Sequence, residues 1–278
     1  MKTAISIWSF SGKTVKESMA LAKRAGYDGI ELSLNETGET SLDAAPGEWA
    51  GIRAYSEEIG LPVHSVASGL YWSYPFTSGD KAMREKGVSI AEKQLEMAKA
   101  LGADAILIVP GAVGVSFIPN FNVVPYDVAY ERSLEAFMRL KTKAEELKVH
   151  IGIENVWNQF LLSPLETRDF VDKIGSPYVG VYFDVGNVLA TGYPEQWIAI
   201  LGGRIRKVHF KDYKRAAGGL HGFVDLLSGD VDWPAVMDAF KAVGYDGWAT
   251  AEMIPAYTHH PEQIIWNTSA AMNRICER

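Results

Sequence analysis

The sequence predicts an α/β protein of the (β/α)8 class, a TIM barrel, and two observations support this prediction. Strand-like apolar runs alternate with helix-like amphipathic stretches along the whole of the 278 residues. The alternation occurs eight times, which a closed barrel needs and an open, doubly wound sheet seldom does. In addition, four of the apolar runs end in a carboxylate or an imidazole. The carboxyl ends of barrel strands meet at one mouth, so these groups should converge there.

The predicted elements follow one another in regular order. The strands are predicted at 3–8, 28–33, 62–67, 104–109, 150–155, 178–184, 205–210 and 247–252. The helices are predicted near 14–25, 47–59, 80–101, 127–147, 165–174, 194–201, 232–243 and 261–276. No linker or low-complexity stretch interrupts them, so we expect a single domain over residues 1–278.

Three helix-to-strand junctions share one plan, which supports this order. AGYDGIEL (25–32), LGADAILI (101–108) and VGYDGWAT (243–250) each place a glycine, one residue, an aspartate and a small residue before a strand. Glycine tolerates the left-handed conformation that ends a helix, and the polar turn residues start the next strand. The repeat is architectural and carries no catalytic implication.

The four polar strand ends lie in the second half of the chain. The runs HIGIEN, YVGVYFDVGN, IRKVHFKD and GWATAEM end in Glu154, Asp184, His209 and Glu252. Ionised carboxylates are almost never buried without a partner, and three of them together would repel one another unless a dication were bound. The sequence therefore predicts that these four side chains bind one divalent metal ion. Oxygen ligands with one imidazole and no sulfur favour Mn²⁺, with Mg²⁺, Co²⁺ or Zn²⁺ as alternatives.

Composition limits the partners and the compartment. The net charge of −7 disfavours non-specific nucleic-acid binding. No stretch approaches the roughly 18 apolar residues of a membrane span, and the amino-terminal segment lacks the features of a signal peptide. The single cysteine, Cys276, can form no internal disulfide, which fits a reducing cytoplasm. We therefore expect a cytoplasmic protein that acts on a small molecule.

The long loops at the predicted mouth should form a pocket. They cover 34–46, 68–79, 110–126, 156–164 and 211–231 and are rich in aromatic residues, unlike disordered segments. Trp8, at the end of the first predicted strand, and His64, in the third, are predicted to contact the substrate. Lys211, Lys214 and Arg215 follow His209 and are candidates for binding a phosphate.

The motifs IEN, FDVGN, VHFKD and AEM, with the stretch 226–253, resemble the xylose isomerase-like superfamily of sugar isomerases and epimerases. The ketose 3-epimerases and hydroxypyruvate isomerase are the most similar branches. The resemblance implies that Glu154, Asp184, His209 and Glu252 bind the metal and that the two glutamates are the acid–base pair. Asn187 stands where epimerases often have a histidine, and Arg215 stands where they have an arginine, so both are expected to bind substrate. The resemblance also implies a homo-oligomer.

The chemistry of such a site suggests a metal-dependent isomerase (epimerase). Inverting a hydroxyl beside a carbonyl requires removal of a weakly acidic C–H proton, and a dication stabilises the resulting enediolate. Our leading hypothesis is therefore 3-epimerisation of a ketose or ketose phosphate, with Glu154 and Glu252 on opposite faces of the intermediate.

Several alternatives share parts of this pattern. An aldose–ketose or hydroxypyruvate-type isomerase and an inosose dehydratase-like lyase would begin with the same proton abstraction. An endonuclease IV-type nuclease would need three zinc ions and more histidines, but Val109 and Asn187 stand where two of those histidines belong. A non-catalytic carbohydrate-binding module would need no carboxylate cluster.

Overall fold

Eight parallel strands form a closed barrel in the computed structural model, which describes residues 1–277. Arg278, the last residue of the predicted domain, lies outside the described residues. The barrel strands are β1 (Lys2–Ser6), β2 (Gly29–Ser33), β3 (Val63–Ala67), β4 (Ala105–Ile108), β5 (His150–Glu154), β6 (Val179–Asp184), β7 (Ile205–Phe210) and β10 (Trp248–Ala251). Each strand pairs with the next one around the barrel, and β10 pairs with β1 to close it. The predicted fold is confirmed.

Helices alternate with the strands, as the amphipathic pattern predicts. They are α1 (Val15–Arg24), α2 (Pro46–Ile59), α3 (Lys81–Leu101), α4 (Tyr126–Leu147), α5 (Pro164–Ile174), α6 (Val185–Val188), α7 (Pro194–Leu201), α8 (Trp233–Ala242) and α9 (Gln263–Ile275). The short helix α6 was not predicted. Nor was the antiparallel ribbon formed by β8 (Asp212–Tyr213) and β9 (Phe223–Val224).

Local capping explains where several helices begin and end. Thr14 and Glu17 form a reciprocal capping box at the start of α1, and the Asp80 carboxylate accepts a bond from the Ala82 amide at the start of α3. Gly60 and Gly102 follow α2 and α3 with positive φ, a conformation that costs glycine little. The chain can therefore turn sharply from each helix into the next strand.

The first strand is shorter than predicted. β1 ends at Ser6, and Ile7–Ser9 form a single 3₁₀ turn in which the Ser6 hydroxyl accepts a bond from the Trp8 amide. An apolar run cannot reveal this change, because Ile7 and Trp8 suit a strand equally well. The turn places Trp8 in the wall of the cavity at the barrel mouth.

Several barrel strands carry buried polar side chains. The apolar core is made of side chains from both strands and helices. Alternate residues of a strand face the same side, so Lys207 and His209 both enter the barrel from β7. His64, Lys207 and Thr250 are all buried. None of the described helices combines the length and apolar character that a membrane crossing requires.

Candidate metal centre

The four predicted ligands meet at the carboxyl ends of the strands. One ligand atom from each of Glu154, Asp184, His209 and Glu252 lies within 4.8 Å of all the others. His209 Nδ1 is 3.4 Å from Glu154 Oε1, 3.8 Å from Asp184 Oδ2 and 3.6 Å from Glu252 Oε2. Among residues 1–277, this is the one group with the composition and spacing of a metal site.

Barrel geometry explains why side chains so distant in sequence converge. Glu154 and Asp184 are the last residues of β5 and β6, and Glu252 follows β10 directly. Asp184 pairs in register with His209, so the two side chains lie side by side on adjacent strands. The Asp184 carboxylate also caps α6, because its Oδ1 accepts the Asn187 amide at 2.7 Å. Its second oxygen, Oδ2, faces the cluster, 3.8 Å from His209 Nδ1.

Three polar atoms of the cluster fit a bound cation. Asp184 Oδ2, His209 Nδ1 and Glu252 Oε2 are buried, His209 Nδ1 has no hydrogen-bond partner within the described residues, and the two carboxylate oxygens share one ammonium group, that of Lys211. Leaving buried polar atoms without partners is costly, and native proteins rarely do so. All three atoms point to the same place, where a divalent ion could be coordinated by three carboxylates and one imidazole. The donor set is oxygen-rich, as predicted for Mn²⁺ or a similar cation.

Glu31 orients the His209 imidazole by contacting Nε2, the ring nitrogen that does not face the cluster. Its Oε1 lies 2.9 Å from His209 Nε2, and its Oε2 accepts bonds from Tyr182 at 2.6 Å and Ser65 at 2.8 Å. A carboxylate that accepts the Nε2 proton leaves Nδ1 as the nitrogen that can bind a metal. Sequence analysis did not assign Glu31 to the site. Its place in an apolar strand predicted only that Glu31 holds the rim together through a neighbouring cation, and the sequence did not indicate that His209 is its partner.

The charges of the cluster are strongly coupled. Burial raises the pKa of Glu154 to about 7, despite the opposing effect of the nearby His209. Burial also raises the pKa of Asp184. Burial alone would lower the pKa of His209, but Glu31, Glu154 and Glu252 surround the ring and raise it well above its usual value. Burial favours a neutral Glu31, yet the charge and hydrogen bond of His209 lower the pKa of Glu31 to about 2.

Lys211 also enters the cluster. Its ammonium group is 3.2 Å from Asp184 Oδ2 and contacts Glu252 Oε2 directly, and its side chain is only 12% exposed. Burial favours the neutral amine, but Asp184 and Glu252 outweigh it and raise the pKa of Lys211. Lys211 follows His209 by two residues, so strand periodicity alone could have placed it on the same face. The predicted role of Lys211 in binding phosphate does not fit this buried position.

A cavity of about 660 Å³ opens above the cluster. Glu154 and Glu252 line it, whereas Asp184 and His209 are fully buried beneath it. The aromatic loops form much of the wall, as expected from sequence. The aromatic residues that line the cavity are Trp8, Trp72, Phe117, Trp157 and Phe223. The two glutamates are therefore the cluster carboxylates that a substrate in the cavity would meet.

The predicted substrate-binding residues occupy three different places. Trp8 and Asn187 line the cavity. Arg215 instead lines a second, neighbouring cavity of about 510 Å³, where its guanidinium donates to the Gly192 carbonyl at 2.8 Å. His64 lies inside the barrel, 3.0 Å from Thr250 Oγ1 and stacked on Trp248, and is not part of the cavity wall. Its position as the second residue of β3, rather than the last, explains this depth.

Asp212 organises the loop that covers one side of the cavity. Its carboxylate accepts the amides of Tyr213 at 2.8 Å, Leu227 at 3.0 Å and Val231 at 3.2 Å, and also the Trp233 indole N–H at 3.2 Å. This buried carboxylate fixes the ribbon and the following turn relative to α8. The motif VHFKD contains this aspartate, but the sequence could not show that backbone amides and an indole N–H would donate to its carboxylate.

Comparison with known proteins places the chain in a family. SgbU of Escherichia coli, described as a candidate L-ribulose-5-phosphate 3-epimerase, is 28% identical over 251 residues, covering 85% of this chain and 82% of SgbU. L-ribulose-5-phosphate 3-epimerase UlaE of Escherichia coli is 26% identical over 254 residues, covering 87% of this chain and 83% of UlaE. A solved structure of L-ribulose 3-epimerase superposes with a TM-score of 0.81 at 20% identity, covering 99% of this chain and 94% of that one.

These similarities extend along the barrel and agree with the sequence motifs. The profile of the family described as Xylose isomerase-like TIM barrel matches residues 19–273, which include all four residues of the cluster. The chain therefore belongs to the Xylose isomerase-like TIM barrel family.

Proposed function

We propose that this protein is a divalent-metal-dependent epimerase that inverts carbon 3 of a ketose or ketose phosphate. One observation carries the proposal: of the four clustered side chains, the two glutamates face the cavity while the aspartate and the histidine lie beneath it. This arrangement gives a substrate two carboxylates beside one cation site. The epimerase names of SgbU, UlaE and the superposed L-ribulose 3-epimerase support the same reaction class.

Five residues would hold and orient the cation site. Glu154, Asp184, His209 and Glu252 would hold the cation, with Glu31 fixing the imidazole. When bound, a divalent cation supplies positive charge that stabilises negative charge developing on the substrate's oxygens. Oxygen ligands with a single imidazole favour Mn²⁺ for this position, with Mg²⁺, Co²⁺ or Zn²⁺ as alternatives.

Proton transfer would be the task of the two glutamates. Glu252 removes the proton from carbon 3, and Glu154 returns one to the opposite face, which inverts the configuration. Both carboxylates line the cavity, so each can reach a sugar bound there. Once a sugar fills the cavity, the aromatic wall around it would limit the access of water to the carbanionic intermediate.

The test is hydrogen exchange at carbon 3. Metal-stripped protein is reloaded with Mn²⁺ and incubated with L-ribulose, L-ribulose 5-phosphate and D-fructose in deuterium oxide, and proton NMR follows the carbon 3 signal and the products. We expect loss of that signal together with appearance of the 3-epimer of at least one sugar. Replacement of Glu252→Gln should lower exchange by about 10²–10⁴-fold, the usual contribution of a general base.

Glu262→Gln is the matched control. Glu262 is an exposed glutamate paired with Lys13 outside the cluster, so its replacement should leave exchange unchanged. Normal exchange in the Glu252→Gln protein would contradict the assignment of the base. A product whose carbonyl has moved to a new carbon would instead identify an aldose–ketose isomerase.

A further inference from the structure

The cavity above the cluster is poor in available positive charge. Four acidic residues belong to its described lining, Glu154, Asp212, Asp225 and Glu252, although the Asp212 carboxylate is turned to the amides of its own loop. The lining residues include a single cation, Lys211. Even with a dication at the cluster, a phosphate dianion entering this space would meet a surplus of negative charge, and low-dielectric walls strengthen that repulsion.

Lys211 is not available for a phosphate. Its ammonium group contacts Asp184 and Glu252 and lies 5.4 Å from the centre of the Phe223 ring. Moving it toward an anion in the cavity would leave two buried carboxylates without this partner, at substantial cost.

Arg215, the arginine expected to bind substrate, is not among the residues that line this cavity. Arg215 lies in the second cavity, with its guanidinium over the Tyr193 ring at 5.0 Å. Val156, Trp157 and Asn187 line both cavities and form the wall between them. The Trp157 indole donates to the Asn187 carbonyl at 2.9 Å, which links two of these three residues.

The helix nearest the cavity offers no free anion site either. Ile264, in the first turn of α9, lines the cavity, and helix amino termini often bind phosphate. Here the amides of Gln263 and Ile265 already donate to the carbonyls of His260 and Glu262, at 2.9 Å and 3.1 Å. Two amide N–H groups of the first turn therefore already have acceptors within the chain.

The remaining wall suits an uncharged sugar. Trp72 packs edge-on against Phe117 with ring centres 5.4 Å apart, and both rings line the cavity. Together with Trp8 and Ile254 they present flat apolar surface, against which the C–H faces of a sugar can pack. Asp225, whose carboxylate accepts a bond from the Tyr257 hydroxyl, holds a negative charge in the same wall.

From these features we propose that the substrate is an unphosphorylated sugar and that Asp225 discriminates against phosphate esters. The proposal rests on the proposed epimerase function and specifies its substrate class. The aromatic wall binds the neutral sugar, and Asp225 raises the free energy of any complex that places a phosphate in the cavity.

The test compares L-ribulose with L-ribulose 5-phosphate on the Mn²⁺-loaded enzyme. We expect kcat/KM to favour the free sugar by at least tenfold. Asp225→Lys should narrow that ratio by at least tenfold, chiefly by raising kcat/KM for the phosphate ester. Asp238→Lys, the same charge reversal at an exposed position on α8, should leave the ratio unchanged. A wild-type ratio below ten, or a change of less than tenfold in the Asp225→Lys protein, would overturn the proposal.

A binding experiment separates failure of this proposal from failure of the proposed function. Ribitol and ribitol 5-phosphate have no carbonyl and cannot react, so their affinities for the Mn²⁺-loaded protein report charge preference alone. Tighter binding of ribitol, measured by calorimetry, supports an unphosphorylated substrate even if neither ketose is turned over. If ribitol fails to bind, or binds no more tightly than ribitol 5-phosphate, the result counts against an unphosphorylated substrate. The epimerase function fails separately, when no ketose exchanges its carbon 3 hydrogen.

Discussion

At the scale of single residues, Lys211 and the cation compete for the same carboxylates. The Lys211 ammonium contacts Asp184 and Glu252, two of the four groups proposed to bind the metal. Part of the negative charge of the cluster is thus neutralised by the chain itself. A cation bound by these carboxylates would lie close to the ammonium group, and the repulsion between the two charges lowers the affinity for the cation.

Replacement of Lys211→Met should separate the stabilisation that Lys211 gives to the metal-free cluster from its competition with the cation. The metal-free protein should lose about 3 kcal/mol of unfolding free energy, because buried carboxylates lose their cationic partner. The dissociation constant for Mn²⁺ should fall at least tenfold, because the competing charge is gone. Urea unfolding and calorimetric titration measure the two quantities.

Lys214→Met provides the matched control, since Lys214 is an exposed lysine on the same segment of chain. Its replacement should alter neither quantity. If Lys211→Met left the Mn²⁺ affinity unchanged, competition between the lysine and the metal would be refuted.

Proton competition gives the metal affinity a pH dependence with a definite sign. The pKa of Glu154 is raised to about 7 by burial, and the carboxylates around His209 outweigh its burial and raise its pKa well above the usual value. Both groups must be deprotonated to bind a cation, so protons are released on binding. The apparent Mn²⁺ dissociation constant should therefore rise as pH falls from 8 to 6, by about tenfold per unit for each proton released. Calorimetry at several pH values checks this, and a flat profile would contradict it.

At the scale of elements, the β8–β9 ribbon and the turn after it depend on Asp212. Three backbone amides and one indole N–H converge on its carboxylate, which is 1% exposed. The fit is close: a Cβ atom at Gly229 would come within 2.1 Å of the Asp212 carboxylate, so only glycine fits there. This segment supplies Phe223 and Asp225 to the cavity wall.

Asp212→Ala should therefore destabilise the protein and loosen this wall. Buried donors left without an acceptor cost about 1–3 kcal/mol each, so we expect a loss of at least about 3 kcal/mol in unfolding free energy. Urea unfolding followed by tryptophan fluorescence measures it. Asp230→Ala is a suitable comparison, because Asp230 is exposed and accepts a single bond, from the Arg215 amide. A loss below about 1 kcal/mol for Asp212→Ala would show that the carboxylate does not hold the loop together.

At the scale of the whole molecule, the barrel and the cluster could be predicted because both follow from periodic patterns. Apolar runs of strand length gave every barrel strand, and polar residues at four strand ends gave the cluster. Features that depend on irregular backbone could not be predicted in this way. The 3₁₀ turn after Ser6 and the short helix α6 are held by local side-chain caps, and the β8–β9 ribbon pairs two strands of two residues each, too short to show a periodic pattern.

The same reason explains which site residues were missed or misplaced. Glu31 becomes part of the site only because strands two and seven send side chains to the same layer of the barrel, a fact of three-dimensional packing. Arg215 is six residues past His209, yet the ribbon directs it into the neighbouring cavity. For Lys211 the information was present, because its two-residue spacing from His209 places it on the same face.

The burial of Asp184 and His209 beneath the two glutamates has a consequence for the order of events. Both side chains are 0% exposed, and the cavity above them is the opening through which solvent reaches the glutamates. An ion and a sugar would therefore reach the cluster through the same cavity. The ion would have to bind before the sugar, and it could dissociate only after the sugar, because a sugar bound in the cavity would block the route to the cluster.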